Sequence, residues 1–82
     1  MANRESPILS NASRFPRDVA RAIQARPTML CDETPEVVRQ VARTLVRFGH
    51  HAEIAAVCEE SGLDTARRAV LRAACFNHGK LH

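Results

Sequence analysis

Arg39, Arg43 and Arg47 recur every four residues with Gln40 beside them, so a helix sets three guanidinium groups along one side. Three helical turns keep them within about 12 Å of one another. A guanidinium grips carboxylates and phosphates with two parallel hydrogen bonds, which a lysine ammonium cannot do. Such a row suits the acidic surface of another protein, each contact adding little alone but several setting orientation and encounter rate. The same letters are also the ordinary solvated counterpart of an apolar stripe, partly offset here by Glu36.

A second cationic group sits later in the chain. Residues 52–77 have the layout of a DNA-reading helix–turn–helix: one helix, a tight Ser61-Gly62-Leu63 turn, and a helix capped by Asp64. The outward side chains Thr65, Arg67, Arg68 and Arg72 of the second helix, at 65–77, then face DNA or RNA. Several positions resemble the broad helix–turn–helix superfamily, with Val57 and Cys58 as the apolar and small pair, Ser61 before the turn, and Gly62-Leu63 as the turn. The sequence departs from that pattern where the second helix turns an aliphatic residue inward, because Arg68 stands there. The resemblance stops at the layout and assigns no family. Its implied alternative is a nucleic-acid-binding transcriptional regulator.

Metal and covalent chemistry find less. Cys75, His78 and His82 are spaced three and four apart, His50 and His51 are adjacent, and Cys58 could join them, but no Cys-x2-Cys pair occurs. Buried cysteines and a histidine at a helix end account for these letters, so no metal is expected. Cys75 and His78 are one helical turn apart, yet nothing supplies an oxyanion site or a third orienting group. There is no Gly-rich phosphate loop, nucleophile elbow or His-Glu-x-x-His run. The expectation is a protein that is not an enzyme and needs no cofactor.

The elements that position these residues are helical throughout. The chain has 82 residues, 45% hydrophobic and 26% charged, with a formal charge of +3. That is one small domain with a thin core, and self-association is a natural supplement. With three Phe, no Tyr and no Trp, the core must be aliphatic. Residues 1–12 read as a flexible or extended arm in which Ile8 and Leu9 are isolated, leaving 13–82 as the helical domain. A helix over about 15–26 follows from Pro16, Asp18 and the recurrence of Phe15, Val19, Ala22 and Ile23, and Pro27 stops it. The apolar Met29-Leu30-Cys31 link is expected to cross the core. Thr34-Pro35-Glu36 starts a second helix, which turns Val37, Val38, Val41, Ala42, Leu45 and Phe48 inward and ends at Gly49.

A third helix, about 51–61, buries Ile54, Ala55 and Cys58 and closes at Gly62 with Leu63 over its last turn. The fourth, about 65–78, buries Ala66, Ala69, Val70, Ala73, Ala74 and Phe76 and ends near Gly79. The expected fold is therefore all-α, a compact four-helix domain with short connections and an extended N-terminal arm. Leu71, Cys75 and Leu81, left on the far side of the last helix, form a candidate homodimer patch. The cysteines form no short-spaced pair, no secretion signal is present, and the longest apolar run is Ile54 to Cys58. A cytoplasmic protein without a membrane span is expected. The combined expectation is a small regulatory, adaptor or inhibitor protein docking through Arg39, Gln40, Arg43 and Arg47.

Overall fold

A computed structural model describes residues 7–59 and 62–80, the last four as backbone only. Among the described residues all regular structure is helical, in the order α1 (Pro7–Arg14), α2 (Pro16–Ala25), a 3-10 helix (Pro27–Asp32), α3 (Pro35–Arg47), α4 (His51–Cys58) and α5 (Thr65–Lys80). The all-α class is as expected. The helix count is higher than four because residues 7–12 are not an extended arm. Pro7 opens α1, and Ile8 and Ala12, four apart, bury against α2 and α3. An eight-residue helix is marginal alone, so tertiary packing rather than propensity holds it. The part of the expected arm at 1–6 lies outside the described residues.

Helix α3 is the hub, packing against α5, α1, α4 and α2. The Thr34 hydroxyl accepts from the Val37 N–H at 3.2 Å, and Pro35 fills the first helical position without wasting a donor. At the other end the His50 N–H reaches the Leu45 carbonyl and the Gly49 N–H reaches that of Val46, each at 2.9 Å. This is the Schellman arrangement, and it needs the φ of +91° that Gly49 supplies. Val38, Val41, Ala42, Leu45 and Val46 face the core, and Val37 is half-buried.

The core is aliphatic, as the composition requires. Ile23, Leu30, Leu45, Ile54 and Leu71 are its largest enclosed side chains, each stabilising the fold by about 1.5–3 kcal/mol. Leu30, in the 3-10 helix, docks into the core with Met29 half-buried beside it, while Cys31 of the same link is exposed. All three phenylalanines lie outside: Phe15 is 53%, Phe48 51% and Phe76 62% exposed. Phe48 and Phe76 are therefore corrections to the expected core.

Helix α5 departs furthest from its expected phase. Leu71 is 1% exposed and Ala74 is buried, Val70 and Cys75 pack against the core, and Ala66, Ala69 and Ala73 face outward. Of the expected homodimer patch, Leu71 is thus interior and Cys75 half-buried, while Leu81 lies outside the described residues. Apolar residues occur all round this helix, so hydrophobicity alone could not choose its inner side. Ala55 of α4 is likewise exposed, and Val57 is buried in its place beside Ile54 and Cys58. Helix α5 also continues through Gly79 to Lys80.

Gly62 is not left-handed; its need is space. A Cβ there would sit 2.7 Å from the Thr28 Cγ2, a clash that costs about 1–3 kcal/mol unless Thr28 yields. Gly62→Ala should lower the thermal midpoint, and adding Thr28→Ser, which deletes that methyl, should recover most of the loss. An unchanged midpoint in Gly62→Ala alone would show that the turn relaxes freely.

Candidate functional site

The arginine row of α3 lies opposite its buried face. Glu36, Arg39, Gln40, Arg43 and Arg47 are all exposed. The first turn of the row is occupied internally. Arg39 Nη2 donates to both Glu36 carboxylate oxygens, at 2.8 and 2.6 Å, and Gln40 Nε2 donates to Oε2 at 3.0 Å. These bonds, Gln40's first and Arg39's next, hold the Glu36 carboxyl below the usual carboxylate range. Arg43 and Arg47 have no carboxylate within ion-pair distance among the described residues. Three arginines against one glutamate leave the row with a net +2.

Phe48 enlarges this surface and was missed from sequence. It follows Arg47 and caps α3, so its side chain projects past the last turn instead of onto the core. The signal was available, since a residue directly before a left-handed glycine sits at the helix end. Arginine and aromatic side chains are the types that carry binding energy at protein interfaces. Helix α3 presents them on a rigid frame, capped at both ends.

The second cationic group is split: Thr65, Arg68 and Arg72 share one side of α5, and Arg67 turns to the side of Leu71 and Ala74. Thr65 and Arg72 are exposed, but Arg67 and Arg68 are half-buried. Arg67 Nε donates to the Leu30 carbonyl at 3.0 Å and to that of Glu33 at 2.9 Å, Nη2 also donates to Glu33, and Nη1 meets Asp64 Oδ1 at 2.9 Å. Arg68 Nη2 donates to the Leu63 carbonyl at 3.3 Å. Of the expected recognition row, Arg67 is thus held within the fold, and Thr65 and Arg72 stay exposed. At the end of the 3-10 helix the Leu30 carbonyl already accepts the Glu33 N–H at 3.1 Å, and Arg67 adds a second donor there and donates to the Glu33 carbonyl beyond the last turn. Asp64 does cap α5, its Oδ2 accepting from the Arg67 N–H at 3.3 Å.

Among the described residues no group of three or more potential ligands gathers into a metal site. Of the histidines at the chain's end, His82 and the His78 side chain lie outside the described residues. Burial pushes the thiols of both Cys58 and Cys75 up, Cys58 further influenced by its proximity to Cys75. Cys31 is exposed. Brief alkylation of the folded protein at neutral pH should therefore label Cys31 first and Cys58 last, as read by peptide mass. Equal labelling of Cys58 and Cys31 would contradict the burial described.

An open apolar groove of about 530 Å³ lies between α1, α2 and the 3-10 helix, with Ile8, Val19 and Met29 among its lining and Phe15 at its edge. No helix among the described residues is long and apolar enough to cross a membrane. No family model matches the chain, and neither a curated protein nor a solved structure shows significant similarity to it.

Proposed function

We propose that this is a non-enzymatic adaptor or inhibitor that binds a larger protein, using the Arg39–Gln40–Arg43–Arg47 row and Phe48 against an acidic surface. The observation that carries the reading is the pairing of Arg43 and Arg47 with a half-exposed aromatic on a capped helix. The arginines steer and orient an acidic partner, and Phe48 supplies the desolvated anchor that exposed ion pairs lack. A short row of net +2 is modest for a phosphate backbone, where affinity scales with the number of phosphates neutralised. Arg67 and Arg68, which a DNA-reading helix needs outside, are engaged with backbone carbonyls.

The test is capture from an extract of the native host, comparing the intact chain with Arg43→Glu/Arg47→Glu. Retention of a protein that bears an acidic surface, lost in the variant and weakened by salt, supports the reading. An identical retained set in both overturns it, as does a nucleic-acid complex that persists in the variant.

A further inference from the structure

The groove between α1, α2 and the 3-10 helix has a charge character opposite to the rest of the chain. The protein carries 12 basic residues against 9 acidic ones, yet the ionisable groups on the groove lining, Asp18 and Glu33, are both carboxylates. Asp18 is exposed and has no cation within ion-pair distance among the described residues. The rest of the lining is mainly apolar, with exposed Ala22 leaving room in the wall. A fitting occupant is therefore an apolar tip flanked by cations.

The chain itself carries such a tip. Phe48 is half-exposed at the end of α3, directly after Arg47 and one further turn from Arg43. A cavity of about 530 Å³ accommodates a phenyl ring together with the methylene stem of an arginine. We propose that a second copy of the chain inserts its Phe48 corner into this groove, with Arg47 and Arg43 directed at Asp18. This rests on the reading of the arginine row as a protein-docking surface, and it adds regulation: a row seated in another copy's groove is withheld from the acidic partner.

Tip and groove are different surfaces, so a docked pair still offers one tip and one groove. Assembly of this type does not close at two unless the rotation forms a ring. Phe76 is the competing tip, with Arg72 one turn before it, but it stands beside the small outward residue Ala73 and not at a helix corner.

Sedimentation of the full chain tests the proposal with two variants that each disable one surface. Phe48→Ala removes the tip, and Ala22→Lys fills the groove with bulk and like charge at an exposed helical position; Asp18→Arg replaces it if circular dichroism shows a disturbed α2. The intact chain should gain mass with concentration beyond two protomers, and each variant alone should stay monomeric. An equimolar mixture of the two should form a 1:1 dimer and nothing larger, because one component keeps the groove and the other the tip. A monomeric intact chain, a mixture that remains monomeric, or assembly abolished by Phe76→Ala and not by Phe48→Ala would overturn self-docking. Monomeric Ala22→Lys keeps its arginine row and should capture the acidic partner at least as well as the intact chain. Failure of self-docking with capture still sensitive to Arg43→Glu/Arg47→Glu therefore removes this inference alone. A dimerising mixture with capture insensitive to that double reversal removes the partner reading alone.

Discussion

Arg67→Met is expected to destabilise the protein by about 3 kcal/mol, the value typical of losing charge-assisted bonds to partly buried acceptors. For a domain of this length that is a fall of about 12–24 °C in thermal midpoint. Methionine keeps the aliphatic stem, so the loss reports the guanidinium. That group ties α5 to the Leu30 and Glu33 carbonyls and to Asp64, with its side chain 19% exposed. Arg67→Lys should recover only part of the loss, because one ammonium cannot reach all three acceptors in fork geometry. A midpoint within about 2 °C of the parent would mean that water replaces these bonds without cost.

The same clamp gives a pH dependence with a definite sign. The Arg67 side-chain hydrogen bond holds the Asp64 carboxyl below its ordinary range. A folded-state pKa lowered in this way stabilises the protein above the unfolded-state value, and the contribution is lost as pH falls through the folded-state value. The stability difference between the parent and Asp64→Asn, measured by urea unfolding, should therefore be largest near neutrality and shrink on acidification below the usual aspartate range. A difference that holds constant into strong acid would contradict the ion pair.

The second large effect concerns binding. Arg43→Glu/Arg47→Glu should weaken partner affinity about 100-fold, near 3 kcal/mol, since each reversal turns attraction into repulsion. Both side chains point to solvent, so stability should change by no more than about 0.5 kcal/mol. Arg43→Lys/Arg47→Lys keeps the charge but loses the two-pronged grip and should fall between. Arg39→Glu should cost less than either reversal at Arg43 or Arg47, because Arg39 is already engaged by Glu36.

Helix α3 was legible almost in full, because Thr34, Pro35 and Gly49 are backbone signals whose physics is local. Its arginine row was legible for the same reason: once the ends and the aliphatic face are known, the opposite side follows. Helix α5 was not, since Ala66, Ala69 and Ala73 compete with Leu71 and Ala74 for the core and the decision is made elsewhere. The Leu30 and Glu33 carbonyls draw Arg67 inward, which rotates the alanines out. No local pattern in α5 contains that information. Helix α1 was hidden because Ala12, fully buried, carries too little hydrophobicity to complete a visible stripe with Ile8. The groove behind Phe15 was hidden with it, because one of its walls is α1.

The docking surface is tested most directly by placing a photo-crosslinking phenylalanine analogue at position 48 and irradiating in the native host. The account predicts, besides the crosslink to the groove of a second copy that self-docking gives, a crosslink to an Asp- and Glu-rich surface segment of a larger protein, lost when Arg43 and Arg47 are both reversed to glutamate. A crosslink to nucleic acid, or one to the same protein that survives the double reversal, would contradict it.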